Sequence, residues 1–231
     1  MSDFFQIAID GPVAAGKGTV SRLLAQKLGF LYVDTGAMYR VAALLAIRNG
    51  VDFSEEDKVV ALLEKSKLEM RNPLPPKETD GRLTTVILDG EDVSWAIRTQ
   101  KCSEGSSKVA VLKKLRKVLV KKQQEIATKQ NVVMEGRDIT FRVLPDANLK
   151  IFLTASIEAR VARRHTQYLI KGTNTSIEEV TKEIKERDLR DSNRTNDPLQ
   201  VVPEAWLVDT SKLEIDEVVD LIAKRVDELR D

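Results

Sequence analysis

Gly11-Pro12-Val13-Ala14-Ala15-Gly16-Lys17-Gly18-Thr19 is the stretch that decides the fold of this 231-residue chain. It follows the apolar run Phe4-Phe5-Gln6-Ile7-Ala8-Ile9 and precedes Val20, Leu23, Leu24 and Leu28, which recur at helical spacing. Strand, glycine-bounded loop, lysine and helix in that order are the context of a phosphate-binding loop. Backbone N–H groups of such a loop converge on an anion, and the helix N-terminus adds partial positive charge. Lys17 supplies a mobile full charge. Thr19 offers a hydroxyl close to any Mg²⁺ that accompanies the phosphates. Gly18 separates the lysine from the threonine, where the common pattern has the two adjacent. The competing reading is a Gly-rich strand-to-helix turn that binds nothing; the agreement of loop, lysine and flanking pattern favours the phosphate site.

Composition narrows the remaining possibilities. The chain carries 37 basic and 36 acidic residues, so bulk binding of a polyanion such as nucleic acid is not implied and any positive site must be local. A single cysteine, Cys102, excludes an internal disulfide and suits a reducing, cytoplasmic setting. With one histidine, His165, a Cys/His zinc cluster is excluded and a Cys–His catalytic pair disfavoured. No apolar run approaches the ~20 residues of a membrane span, and no signal peptide or repeat is visible, so no membrane association is expected.

Working outward, Phe30-Leu31-Tyr32-Val33 reads as a second strand ending in the polar turn Asp34-Thr35-Gly36. Met38, Val41, Ala42 and Leu45 mark the next helix, with Arg40 near its start and well placed for a phosphate. Ser54-Glu55-Glu56-Asp57 opens another helix. Pro73, Pro75 and Pro76, the β-branched run from Thr84 to Leu88 and the turn Asp89-Gly90 then predict a small antiparallel insertion over 67–100. It has too little core to stand alone. A long helix is predicted from Ser103 to about Lys129, with Val111, Leu115, Val118, Leu119, Lys122 and Ile126 on one face.

Asn131-Val132-Val133-Met134 is a buried-type strand that runs straight into Glu135-Gly136-Arg137-Asp138, a charged cluster where ligands sit in open α/β sheets. A strand over 148–153 and a helix over 156–169, carrying Arg160, Arg163 and Arg164, come next. A loop at Lys171-Gly172-Thr173-Asn174 and the capping box Ser176-Ile177-Glu178-Glu179 follow, the helix it opens turning Ile177, Val180 and Ile184 inward. Ala205-Trp206-Leu207-Val208 is the last strand. The closing helix has Ile215, Val218, Val219, Ile222, Val226 and Leu229 on one face. The expected fold is α/β: a P-loop three-layer αβα core on a five-stranded parallel sheet, formed by 1–66 and 101–231 and interrupted by the 67–100 insertion.

Arg187, Arg190, Asp191 and Arg194 fall at offsets 0, 3, 4 and 7, the spacing of an inward helical stripe, yet the stripe is charged. One reading is a solvated face in which Asp191 offsets the arginines. The sharper one is a helix whose apolar stripe gives way to a cationic face beside a phosphate cleft.

Together these motifs resemble the bacterial cytidylate kinase family, within the nucleoside monophosphate kinases. The resemblance is carried by Asp10-Gly11-Pro12 with Gly16-Lys17-Gly18-Thr19, Asp34-Thr35-Gly36-Ala37-Met38-Tyr39-Arg40, Gly90-Glu91-Asp92-Val93-Ser94, Ile97-Arg98-Thr99, Glu135-Gly136-Arg137-Asp138, and Lys185-Glu186-Arg187-Asp188 with Arg190-Asp191 and Arg194. It implies transfer of the terminal phosphoryl group of ATP to CMP or dCMP, with Mg²⁺, by a cytoplasmic enzyme expected to be a monomer. It implies that Gly11, Pro12, Val13, Ala14, Ala15, Gly16, Lys17, Gly18 and Thr19 hold ATP, with Thr19 reaching the metal indirectly. Arg40, Arg137 and Arg194 would hold the CMP phosphate; Ser107, Arg116 and Asp138 the cytosine; Asp191 the ribose, with Thr35 and Arg187 nearby. Lys17, Arg137, Arg187 and Arg194 would act on the transferring phosphoryl group, and Arg163 and Arg164 would belong to a lid at about 163–173. The 67–100 insertion would be the CMP-side subdomain. Thr140-Phe141-Arg142 stands where the family usually has a small Gly-Thr pair, and Val13-Ala14 where a Ser-containing pair is common.

The chemistry agrees with that implication. Phosphoryl transfer needs charge neutralisation and in-line positioning more than covalent help, and guanidiniums match a dianionic phosphate better than ammonium groups. Two alternatives stand beside it: a P-loop kinase for another small acceptor such as adenylate, shikimate or gluconate, and a non-catalytic nucleotide-binding module.

Overall fold

The computed structural model describes residues 4–170 and 172–230. Strand β1 (Gln6–Asp10) is its axis, and all five of its residues are buried. That continuous burial, without polar alternation, is the signature of a parallel strand covered on both faces. β2 (Leu31–Asp34), β6 (Val132–Gly136), β7 (Leu149–Thr154) and β8 (Trp206–Asp209) complete a sheet of order β2-β6-β1-β7-β8, every pair parallel. Asp10 pairs with Gly136 and Asp34 with Glu135 at the strand ends. The phosphate-loop motif, the Asp34-Thr35-Gly36 turn and the Glu135–Asp138 cluster therefore emerge side by side at one edge.

Alternate residues of β1 enter two cores. Ile7 and Ile9 join Val20 and Leu24 of α1 (Lys17–Leu28) and Val218, Ile222 and Val226 of α8 (Ile215–Arg230). Ala8 faces the other way, toward Val120 of α5 (Lys113–Ala127). A third core lies between α2 (Thr35–Arg48), α3 (Glu56–Lys65), α4 (Gln100–Val109) and α5. Helices α6 (Ile157–Ile170) and α7 (Ile177–Asn193) pack on each other through Val161, Val180 and Ile184, and that cluster includes Val13 of the phosphate loop. The Ser176–Glu179 capping box is present at the start of α7. Within 68–92, β3 (Leu68–Arg71), β4 (Thr85–Leu88) and β5 (Glu91–Asp92) form a separate antiparallel sheet. Asp89 and Gly90, both at positive φ (52° and 87°), make its hairpin turn. The Asn72 side chain ties this sheet to the open edge of β2: it accepts from Tyr32 N at 3.0 Å and donates to Phe30 O at 2.8 Å.

The structure corrects several expectations. The predicted long helix over 103–129 is two helices, α4 and α5, broken at Ala110–Leu112. No Gly or Pro marks the break. α4 lies so close to α2 that a Cβ on Gly105 would stand 2.9 Å from Ala43 Cβ, and 2.6 Å from the Phe53 ring in the segment that follows α2. The buried side of α5 is Leu115, Arg116, Leu119, Val120, Gln123 and Ala127, with Val118 and Ile126 half-buried against the same core; Lys122 is not among its buried residues and Val111 lies outside the helix, exposed. Ile177, Ile215 and Leu229, predicted inward, are exposed because they sit in terminal turns that project past the core. The lid range is helical through Ile170, and Lys171 lies outside the described residues. Thr140, Phe141 and Arg142 form a π-helical turn (Ile139–Val143) pinned by Asp10, whose carboxylate accepts from Ile139 N, Thr140 N and Thr140 Oγ1 at 2.7–2.9 Å.

Candidate active site

The loops at the carboxyl edge of the sheet enclose a cleft of about 360 Å³ against α4 and α7. One wall is the phosphate loop. Gly11 passes so close to β7 that a Cβ there would lie 2.0 Å from Leu153 O, and Gly16, at φ 90°, is the α1 N-cap without a side-chain partner for the helix's first N–H groups. Lys17 is buried beneath the loop and donates to Gly11 O at 2.8 Å and Pro12 O at 2.7 Å. Burial, then the nearby positive charge of Arg137, lower its pKa to about 7. Val13, Ala14, Gly16, Lys17, Gly18 and Thr19 line the cleft, whereas Gly11, Pro12 and Ala15 build the loop from behind.

Facing the loop is a group of arginines. Arg137 Nε donates to Asp191 Oδ2 at 2.7 Å. Arg187, one helical turn before Asp191, makes no hydrogen bond or ion pair among the described residues; burial, then Arg137, lower its pKa to about 10. Arg40 donates to Ser103 Oγ at 2.7 Å, and burial lowers its pKa too. Arg164 enters from α6, where its Nη2 also meets Tyr168 Oη at 2.9 Å and Glu183 Oε1 at 3.1 Å. The Thr35 hydroxyl donates to Glu135 O at 2.7 Å at the floor. Burial, then Asp34, hold the Glu135 carboxyl above its usual range.

At the third side Tyr39, Ser107, Asp138 and Arg194 line the cleft. Arg116 does not: it is 3% exposed and lies behind Asp138, paired with it and with Asp197. Arg163 is also off the cleft, donating to Thr210 Oγ1 at 2.9 Å and Thr210 O at 2.6 Å. Arg142 points to Asp197 at 3.7 Å, and neither it nor Phe141 lines the cleft. Tyr39, Arg98 and Glu135 do line it, although the motifs that contain them gave them no role. Arg98 pairs with Asp34 at 2.9 Å. Asp197 had no sequence signal at all.

A larger depression, about 1260 Å³, lies at the amino ends of the strands beside Gln6, Leu149 and Trp206. Gln6 Nε2 there donates to Ala127 O and Gln124 Nε2 to Val143 O, and Arg225 pairs with Glu228 at 2.9 Å. Size alone does not make it the site; the convergent cations are in the smaller cleft.

A lysine-bearing anion loop opposite a second set of half-buried guanidiniums, on the ligand-binding edge of a parallel sheet, defines a P-loop phosphotransferase acting between two phosphorylated ligands. Residues 7–228 match the family model described as cytidylate kinase. The chain is 44% identical over 228 residues to the cytidylate kinase of Shouchella clausii, covering 99% of this chain and 98% of that protein. It is 45% identical over 221 residues to that of Caldanaerobacter subterraneus, covering 96% and 94%. Among solved structures, shikimate kinase from Acinetobacter baumannii in complex with shikimate aligns with a TM-score of 0.47 and 16% identity over 97% of this chain and 94% of that one. The chain belongs to the cytidylate kinase family: it is an ATP-dependent nucleoside monophosphate kinase of pyrimidine nucleotide metabolism, with CMP or dCMP as acceptor.

Proposed function

We propose that the cleft carries out this reaction with the ATP phosphates on residues 11–19 and the acceptor phosphate between Arg40, Arg137 and Arg194. The observation that carries the reading is the surplus of buried positive charge. Lys17 has only loop carbonyls as hydrogen-bond partners, and Arg187 makes no hydrogen bond or ion pair among the described residues, while each is pushed toward its neutral form. An anion bound between them would relieve both. A nucleotide phosphate is already ionised at neutral pH, so no general base is required of the acceptor side; the residues align the two phosphates, neutralise charge on the transferring group and exclude water.

Ser107 and Asp138 meet the cytosine from the cleft wall, Asp138 accepting from its amino group, and Arg116 holds Asp138 from behind. Asp191 takes the ribose hydroxyls, with Thr35 nearby. Arg164 approaches from α6 as the lid cation, while Arg163 braces α6 on Thr210. The 67–100 segment serves as the CMP-side subdomain. Among the described residues no group of three or more His, Cys, Asp or Glu could cage a metal ion. That donor set suits Mg²⁺ carried in on nucleotide phosphates, which takes few protein ligands; the Thr19 hydroxyl, with Glu135 close to Gly18, would stand beside it. When bound, the ion would neutralise phosphate charge. No helix among the described residues is long and apolar enough to cross a membrane; a monomer working in the cytoplasm without nucleic acid is the accompanying proposal.

The test is ADP release with ATP and Mg²⁺ against CMP, dCMP, UMP, AMP, shikimate and no acceptor. Activity confined to CMP and dCMP supports the base-reading assignment. Comparable activity with UMP or AMP would keep the phosphoryl chemistry and remove that assignment.

A further inference from the structure

Gly18 stands where the common phosphate-loop pattern has Ser or Thr, and a carboxylate from another strand fills the space. A Cβ at position 18 would lie 3.1 Å from Glu135 Oε1, tighter than ordinary van der Waals contact, 3.6 Å from the Tyr32 hydroxyl and 3.7 Å from Leu83 Cδ1. The first turn of α1 thus meets the ends of β2 and β6. Tyr32 is registered with Val133, and strand residues two apart share a face, so Tyr32, Val133 and Glu135 all turn toward α1. The Tyr32 hydroxyl reaches along that face and donates to Glu135 Oε1 at 2.7 Å, joining residues 103 positions apart.

Glu135 differs from the other carboxylates of the cleft. Among the described residues four acidic side chains line it: Asp34, Glu135, Asp138 and Asp191. Asp34 pairs with Arg98, Asp138 with Arg116 and Asp191 with Arg137. Glu135 has no ion pair among the described residues. Lys17 spends its donors on Gly11 O and Pro12 O, and Tyr32 is the one hydrogen-bond donor to the Glu135 carboxyl there. Tyr32 is 1% exposed; burial, then the charge of Glu135, hold its pKa well above the ordinary value, so the hydroxyl stays a donor. A carboxylate without a cationic partner, set beside a loop that gathers phosphates, is repelled by them unless a cation lies between. Mg²⁺ carried in on nucleotide phosphates is a cation of that kind, and it takes oxygen ligands. In the common pattern the hydroxyl that follows the lysine serves the metal. At that place this chain presents a carboxylate oxygen brought in from β6.

We propose that Tyr32 is a positioning residue which, in the room left by Gly18, fixes the Glu135 carboxylate beside the phosphate loop as the oxygen partner of the divalent cation that accompanies ATP. The proposal rests on the reading of residues 11–19 as the ATP site with Glu135 on its metal side. Tyr32 itself touches no reacting atom and acts through Glu135.

The experiment measures ATP binding by calorimetry, once with Mg²⁺ and once with EDTA, in the native enzyme and in Tyr32→Phe, Gly18→Ala and Glu135→Gln. The ratio of the two dissociation constants isolates what the cation contributes. Tyr32→Phe removes one hydroxyl and keeps the buried ring, and Gly18→Ala places a better helix former in α1. Glu135→Gln is expected to remove most of the Mg²⁺ enhancement and to bind metal-free ATP more tightly than the native enzyme does, because the repelling charge is gone. Tyr32→Phe and Gly18→Ala should each cut the enhancement by about tenfold, the scale of a hydrogen bond to a charged group. A merely structural role for the hydroxyl would weaken ATP equally in both conditions and leave the ratio alone. If Glu135→Gln loses the enhancement while Tyr32→Phe or Gly18→Ala stays within about twofold of the native ratio, the proposal is overturned and the metal-side reading of Glu135 survives. If Glu135→Gln also keeps the native ratio, that reading falls and takes the proposal with it.

Discussion

Arg137 Nε and Asp191 Oδ2 stand 2.7 Å apart, joining the end of β6 to the last turns of α7. Residues 54 positions apart in sequence thus set the distance between the sheet edge and the helix that closes over it. Burial alone would raise the Asp191 pKa, but Arg137 and then Arg187 and Arg194 bring it below the ordinary value.

Replacing Asp191 by Asn should therefore destabilise the empty enzyme as well as weaken the ribose contact proposed for it. Breaking a buried pair costs about 3–5 kcal/mol when the surviving charge is fully enclosed; both side chains here keep 18% exposure, which places the expected loss at the lower end. The pH dependence follows from the direction of the shift. A carboxylate lowered in the folded state stabilises above its unfolded pKa of about 3.9 and loses that contribution as pH falls through the folded value. Urea unfolding at pH 7 and in acid should show a native-minus-variant difference that shrinks in acid.

Lys17 gives a signature of nucleotide binding. With its folded pKa lowered to about 7, the unfolded chain binds more protons than the empty folded protein between that value and about 10.4, so this group makes stability rise with pH over that interval. Phosphate at the loop should restore the charged form. ATP binding at pH 8 is then accompanied by proton uptake, read as a dependence of the calorimetric heat on the buffer's ionisation enthalpy. Lys17→Met should abolish the uptake and lower kcat by about a hundredfold or more.

Arg187 should show stability and activity moving in opposite directions. Its guanidinium is half-buried, has no hydrogen bond or ion pair among the described residues, and is opposed by Arg137, Arg164 and Arg40, with only the charge of Asp191 in its favour. Arg187→Met removes the burial and like-charge penalties together with the attraction to Asp191; the lowered pKa of about 10 shows that the penalties are the larger, so the empty enzyme should melt at the same or a higher temperature. Turnover should fall by about 10³-fold or more if the arginine meets the transferring phosphoryl group. A lower melting temperature with normal turnover would take Arg187 out of the chemistry.

Gly105 sets the approach of α4 to α2. A Cβ there would meet the Phe53 ring at 2.6 and 2.8 Å and Ala43 Cβ at 2.9 Å. Gly105→Ala should cost about 1–3 kcal/mol by overpacking despite the better helix propensity of Ala. Because Ser107 lies two residues further along the same helix, KM for CMP should rise while KM for ATP stays unchanged, which steady-state kinetics will read directly.

Much of the molecule was legible in the chain itself because the signals are local. The buried runs of β1 and β6, the glycines and lysine of the phosphate loop, the Asp89-Gly90 hairpin and the Ser176–Glu179 box each depend on neighbours within a few residues, and each appears where the pattern places it. The charged stripe of α7 also declared itself for Arg187, Arg190 and Asp191, which a helix turns to one side whatever it faces, whereas Arg194 is the extended C-cap and reaches the cleft from beyond the last turn. The break between α4 and α5 had no such signal, because it answers to the fit of Gly105 against Phe53 and Ala43. Nor could spacing show that Arg116 retreats behind Asp138, or that Arg163 turns to Thr210. Those positions are settled by partners 22, 81 and 47 residues away. The sequence by itself determined which strands, loops and charges this kinase has. Only tertiary packing decided which guanidiniums are spent on carboxylates and which line the cleft without an ion-pair partner, because a buried charge takes its partner from whatever the fold brings within hydrogen-bond reach.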